Sequence, residues 1–257
     1  RAFHFREQVA AAAANSPEWG MSILEGLRQA GDRESELWTA VAAGLTQGTL
    51  SEEHWRRLLD VYRSHGRPAI GLDGLSNLLL EAVKSDPPAL ATGLLAVAAE
   101  TLNRLIMEFK RTGEDLSPFD DDVVFRSLNS WPGRVAEFFV KAVALQEKHG
   151  GDPCGTPGLE TFVVSITEHR SSVWARLAPA TLGGALPYLL SRCPQLTHDN
   201  LVPLFDWEEP EMAQAAWSGL AYVACTKATV DALYDRLGET AERIDRFEPQ
   251  AQHGLIF

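Results

Sequence analysis

The chain has only three cysteines, Cys154, Cys193 and Cys225, odd in number and widely spaced. That excludes a disulfide framework and points to a reducing compartment, the cytoplasm. No Cys-x-x-Cys occurs. None of the seven histidines (His4, His54, His65, His149, His169, His198, His253) has another three or four residues away, so the spacing of a zinc site is missing. A glycine-rich phosphate loop, a Walker-type lysine and a Gly-x-Ser-x-Gly elbow are missing too. Basic residues are scarce, 23 Lys and Arg against 35 Asp and Glu for a formal charge of −12. This argues against a general binder of phosphate backbones, which needs clustered cations. It favours a basic protein partner instead. The most apolar window, Ala89 to Met107, is interrupted by Glu100, Asn103 and Arg104, so it reads as a buried helix and no membrane partner is expected. The chain opens on Arg1 without an initiator methionine, and is expected to be a fragment or processed product of a larger protein.

What is present is one recurring pattern. Amphipathic stretches return about every 35 to 45 residues, each with an aromatic residue on the apolar face and a Pro or Gly break beyond it. Trp55, Leu58, Leu59 and Tyr62 fall at i, i+3, i+4 and i+7. Val135, Phe138, Phe139 and Ala142 repeat that spacing, as do Val230, Leu233, Tyr234 and Leu237. Ser16-Pro17-Glu18 reads as an N-cap, a first-turn proline and a first-turn acid. Helices are expected at about Phe3–Ala14, Pro17–Gln29, Glu34–Leu45, Glu52–Gly66, Leu72–Lys84 and Ala89–Arg111. After a polar break come a short helix to about Leu128, a strong one to Lys148 and a loop at His149–Gly158. Further helices are expected at about Leu159–His169, Ser172–Leu177, Leu182–Ser191, Asp199–Leu204, Pro210–Cys225 and Val230–Arg246. Thr161 to Ile166 is β-prone in composition, yet Phe162, Val163 and Ile166 also fit one helical face. The fold class is therefore all-α. The expected architecture is an α-solenoid of stacked antiparallel helical hairpins, HEAT-like, with about five or six hairpins. The chain reads as a single helical repeat domain with a hinge near 112–122, where Gly113, Pro118 and three aspartates cluster.

Residues that invite a chemical reading have structural ones beside it. Asp120-Asp121-Asp122 offers hard oxygens that suit magnesium or calcium, but also the acids that favour a helix start. Glu208, Glu209 and Glu211 around Pro210 have the same explanation. His198-Asp199 with Asp206 resembles part of a metal site, yet Thr197 to Asn200 reads as a helix start. Gly71 and Gly74 lack the third glycine and preceding strand of a dinucleotide fingerprint. Arg56, Arg57, Arg63 and Arg67 are a candidate for a local basic patch. Cys193 and Cys225 read as small core residues and Cys154 as an exposed loop residue. Most of the seven tryptophans sit on helix faces. Trp131 and Trp207 lie beside breaks, where an indole wedges between repeats and donates its N–H to a carbonyl.

Two stretches carry a family resemblance. Leu128-Asn129-Ser130-Trp131-Pro132-Gly133-Arg134-Val135-Ala136-Glu137-Phe138-Phe139 is similar to a pattern with Asn-His-Pro-Ala-Gly-Lys at its centre, and departs from it at Ser130-Trp131. Leu201-Val202-Pro203-Leu204-Phe205-Asp206-Trp207, with Glu209-Pro210-Glu211 and Ala215-Ala216-Trp217-Ser218-Gly219-Leu220, resembles a Leu-Leu-Pro-Leu-Phe-Asp-Trp block followed by Ala-Trp-x-Gly-Phe. Both occur in the helical C-terminal domain of bacterial sirtuin-like antiphage defence proteins. The Trp55 helix fits the upstream part of that pattern, so the resemblance spans about residues 35 to 240.

The resemblance implies a parent protein whose sirtuin-like domain consumes NAD on infection. The helical region would restrain that domain or sense a phage or host component, and the parent could be a homo-oligomer. No sirtuin catalytic or NAD-binding element is present, so no catalytic, cofactor-binding or metal residue is carried over and no cofactor is expected here. Asn129, Trp131, Pro132, Gly133, Asp206 and Trp207 are the structural or interaction positions it singles out. Two other readings stand beside it: a HEAT-like protein-interaction scaffold unrelated to defence, and a helical hydrolase or nucleic-acid processing enzyme with a cleft lined by Asp120 to Asp122, Glu208 and Glu209.

Overall fold

The computed structural model describes residues 2–31, 36–64, 68–86, 88–112, 122–169 and 172–255. Among these residues the protein is all-α, with no strand. The chain divides into two compact units, Arg1–Glu114 and Asp115–Phe257. The division falls in the stretch expected to be a hinge, whose residues 113–121 lie outside the described ones.

The first unit contains α1 (Ala2–Asn15), α2 (Pro17–Gln29), α3 (Leu37–Gln47), α4 (Glu52–Arg63), α5 (Pro68–Lys84) and α6 (Leu95–Thr112). The Ser16 side chain caps α2 by accepting from the Trp19 N–H, with Pro17 in the first turn where a missing N–H costs nothing. Ser51 and His54 form a reciprocal cap on α4: the Ser51 hydroxyl accepts the His54 N–H at 3.2 Å, and His54 Nδ1 accepts the Ser51 N–H at 3.2 Å. A histidine thus does what Glu or Gln usually does at this position.

The apolar stripe of α4 is buried throughout, Trp55, Leu58, Leu59 and Tyr62 together, and the Tyr62 ring meets Trp38 of α3 edge-on at 5.8 Å. Alternate helices pack in sequence: α1 on α3 and α3 on α5, and likewise α2 on α4 and α4 on α6. Gly44 permits a close approach of α3 to α1, since a Cβ there would lie 2.1 Å from the Ala10 carbonyl oxygen. The helix expected to begin near Ala89 begins at Leu95, after a single 3-10 turn at Thr92–Leu94. Its start is delayed because the Ala89 N–H bonds back to the end of α5, at 2.9 Å from both the Ala82 carbonyl and the Ser85 hydroxyl. No helix among the described residues is long and apolar enough to cross a membrane.

The second unit contains α7 (Val123–Leu128), α8 (Trp131–Lys148), α9 (Leu159–Glu168), α10 (Val173–Arg192), α11 (Pro194–Leu196), α12 (Pro210–Leu220), α13 (Lys227–Ala241) and α14 (Pro249–Gly254). It is organised around α10, which packs on α7, α8 and α12 and touches α9 and α13. Two helices were expected where α10 runs unbroken through Pro179 and Pro187. Each proline removes one backbone donor, at a local cost of about 3 kcal/mol; burial against α8 and α12 outweighs that cost. The β-prone segment Thr161–Ile166 is helical within α9, with Phe162, Val163 and Ile166 buried.

Further boundaries differ from expectation. Asp199–Leu204 is a π-helical turn, Thr197–Leu201, followed by a 3-10 turn, Val202–Phe205, because Pro203 has no N–H with which to continue an α-helix. α12 stops at Leu220, and α13 starts early at Lys227 because the Thr226 side chain caps it by accepting from the Thr229 N–H. α13 ends at Ala241, and the six-residue α14 follows Glu248 with Pro249 in its first turn. Leu233 of the α13 stripe is buried, but Tyr234 is 71% exposed and faces water, not the core.

Candidate functional site

The first resembling block joins α7 and α8 to α10. Asn129 is exposed and ends α7, its side-chain amide donating to the Phe125 carbonyl at 2.7 Å. Trp131 opens α8, buried, and stacks on Trp174 of α10 with ring centres 5.7 Å apart. Pro132 and Gly133 are buried beside it. A Cβ on Gly133 would lie 2.0 Å from the Ser127 carbonyl oxygen, so only glycine lets α8 start this close to the end of α7. Ser127 is fully buried, donates to the Leu177 carbonyl at 2.8 Å, and lies 2.8 Å from the Thr181 hydroxyl.

The second block is a packing knot around α12. The Trp207 N–H donates to the Thr240 hydroxyl at 2.8 Å, and that hydroxyl donates to the Arg236 carbonyl at 2.8 Å. The indole partner is thus a hydroxyl on α13, not the expected carbonyl, and it passes the bond on to one. Phe247 meets the Trp207 ring edge-on at 6.0 Å, and the Arg243 guanidinium lies 5.1 Å from its centre. Asp206 accepts from the Glu208 N–H at 3.2 Å and lies 3.6 Å from the Arg236 guanidinium. The Trp217 N–H donates to the Phe205 carbonyl at 3.1 Å. All six singled-out residues are therefore engaged in turns, caps and helix packing. Ser127 and Thr181, which bond one another beside the first block, and Thr240, which holds Trp207, were missed; a lone hydroxyl carries no periodic signal.

The acids and bases that invited a chemical reading are dispersed. Asp122 caps α7, accepting from the Val124 and Phe125 N–H groups at 2.8 and 3.4 Å; Asp120 and Asp121 lie outside the described residues. Both carboxylate oxygens of Asp199 accept from Gln195. No group of three or more His, Cys, Asp and Glu suited to a metal occurs among the described residues. A shallow groove of about 940 Å³ is lined by Thr167, Glu168, Arg176, Glu209, Glu211, Met212 and Arg246. Its Arg176 is already paired with Glu211 at 2.5 Å.

The basic patch is neutralised by neighbouring acids. Arg56 pairs with Glu52, and Arg63 lies within 4.0 Å of Asp60 and Glu100; Arg67 lies outside the described residues. Arg57 reaches from α4 to both Glu25 and Glu18 of α2, at 3.0 and 2.8 Å. Hydrogen bonding to Glu25 and then Glu18 holds the Arg57 guanidinium more firmly protonated than usual. The Arg57 hydrogen bond likewise holds the Glu18 carboxyl below its ordinary value of 4.5. A lowered carboxyl pKa contributes stability above the unfolded value, lost as the pH falls through the folded one. Arg57→Met is therefore expected to lower the melting temperature at neutral pH. That deficit shrinks as the pH drops below the ordinary carboxylate range, which a melting series across pH will read directly.

Cys193 is fully buried where α10 meets α11, as expected. Cys225 is not a core residue: it is exposed in the loop between α12 and α13, because α12 stops short of it. Cys154 is exposed. No protein-family model, curated protein or solved structure matches the chain.

Proposed function

We propose that these 257 residues are a non-catalytic helical module of a bacterial antiphage defence protein, cytoplasmic and free of cofactors. The module regulates a sirtuin-like NADase domain outside this chain, or senses a phage or host protein on its behalf. The observation that carries this reading is the use made of the resembling blocks. Asn129, Trp131, Pro132, Gly133, Asp206 and Trp207 serve helix junctions, which suits a region whose shape is its function. The alternating packing of α1–α3–α5 and α2–α4–α6 supports reading the first unit as stacked hairpins, the beginning of a repeat array. The charge of −12 suits a basic protein surface, and the paired state of Arg56, Arg57 and Arg63 leaves them poor ligands for phosphate.

The same packing also supports a helical interaction scaffold unrelated to defence, which differs in having no NAD-consuming partner. The non-catalytic reading is tested by incubating purified residues 1–257 with NAD and following nicotinamide release. No release above the buffer rate is expected, and turnover by the purified chain would overturn the reading.

A further inference from the structure

The turn carrying Cys154 is held in place from both sides. At the end of α8, Gly150 takes a left-handed conformation with φ 73°; the Gly151 N–H bonds to the Gln146 carbonyl and the Gly150 N–H to the Glu147 carbonyl, each at 2.9 Å. This pair of bonds is a Schellman cap, and it sets the direction in which the chain leaves the helix. Asp152 then folds over the next turn, its side chain accepting the Cys154 N–H at 3.0 Å and its carbonyl the Gly155 N–H at 3.2 Å. The Thr156 hydroxyl closes the turn on the Pro153 carbonyl at 2.7 Å.

So held, the Cys154 thiol donates to the Arg192 carbonyl at 3.1 Å, at the last residue of α10. The next residue is Cys193, whose own N–H is tied to the Leu189 carbonyl at 2.7 Å. The Cys154 sulfur is thus held 3.1 Å from the carbonyl that leads directly into Cys193. Cys154 is exposed and Cys193 fully buried. Burial, the neighbouring Cys154 thiol and the carboxylates of Asp152 and Glu147 push the Cys193 thiol up to about 12. Cys193 therefore rests protonated, and a reagent from solution enters at Cys154.

We propose that Cys154 and Cys193 are a reversible redox pair, closed to an intramolecular disulfide by a peroxide. The Cys154 thiolate attacks hydrogen peroxide; a sulfur–oxygen bond forms, the oxygen–oxygen bond breaks, and the departing hydroxide leaves as water with the thiol's proton. Peroxide is reduced and Cys154 is oxidised by two electrons to its sulfenic acid. The Cys193 sulfur then attacks Cys154 Sγ; the sulfur–sulfur bond forms, the sulfur–oxygen bond breaks, and hydroxide departs with the Cys193 proton as a second water. Two thiols and one peroxide become one disulfide and two waters, and a thiol reductant reverses the change. The closed bond ties the α8–α9 turn to the α10–α11 junction, so the oxidised chain melts at a higher temperature.

The test treats the reduced full chain with a slight excess of hydrogen peroxide, unfolds it in urea with N-ethylmaleimide and maps its peptides by mass spectrometry. The expected product is a peptide pair joined through Cys154 and Cys193, lighter by two hydrogen atoms and released by dithiothreitol, with Cys225 carrying maleimide. In Cys193→Ser the oxidation stops at a Cys154 sulfenic acid that dimedone traps. Recovery of Cys154 as sulfinic acid beside a maleimide-labelled Cys193 would overturn the proposal, as would a Cys154–Cys225 link or no oxidation at Cys154. Should Cys193→Ser fail to fold, the wild-type map decides alone.

Discussion

Gly219→Ala is expected to destabilise the protein by about 3 kcal/mol, while Gly238→Ala, the same change one helix later, stabilises it by about 1 kcal/mol. A Cβ on Gly219 would lie 1.8 Å from the carbonyl oxygen and 2.7 Å from the carbonyl carbon of Ala180 in α10. Those are backbone atoms, so no side-chain rotation relieves the overlap and α10 must move away from α12. The contact is reciprocal: a Cβ on Gly183 of α10 would lie 2.1 Å from the Ala216 carbonyl oxygen of α12. Parting the two helices loosens the central packing of the second unit on both sides. At Gly238 in α13 nothing lies within 4 Å of the added carbon. There the substitution only restricts the unfolded chain and improves helix propensity. Urea unfolding of both variants, with unchanged slope, measures the two shifts. Equal small effects would mean that α10 and α12 do not approach so closely.

Trp207→Ala is expected to cost about 3–5 kcal/mol, the range for removing a buried aromatic side chain. The ring is 4% exposed, meets Phe247 edge-on and lies under the Arg243 guanidinium. Its loss also leaves the Thr240 hydroxyl with one bond where it had two. Thr240→Val keeps the shape and removes that hydroxyl. It should cost about 1–3 kcal/mol, the cost of leaving the indole N–H buried without a partner. If the two residues act through this bond, the double variant falls short of the sum of the single losses. Full additivity would place the Trp207 contribution in packing alone.

The 3.6-residue spacing located Trp55, Leu58, Leu59 and Tyr62 correctly on one buried face, and Ser16-Pro17 marked a real helix start. The all-α class follows from such signals, because burial and capping are local patterns. The two helices expected at Ser172–Leu177 and Leu182–Ser191 are one, since the cost of an interior proline is local while the packing that retains α10 comes from α8 and α12. Tyr234 misled for the opposite reason: it has the right spacing, but no neighbour covers it. Trp131 and Trp207 stand out in the sequence because each lies near a proline. The Ser127–Leu177 and Trp207–Thr240 hydrogen bonds become visible only when helices far apart in sequence come together. Cys154 and Cys193 belong to the same class, because no spacing rule brings the α8–α9 turn to the end of α10.

The proposed role is regulation of a catalytic domain outside this chain. Its most direct test is NAD consumption by the parent protein, assayed intact and without residues 1–257, before and after a phage lysate is added. The intact protein should be silent until the lysate arrives. The shortened one should consume NAD constantly or fail to respond. Identical NAD consumption by both forms, or none by either under any condition, would contradict the account and leave the interaction scaffold in its place.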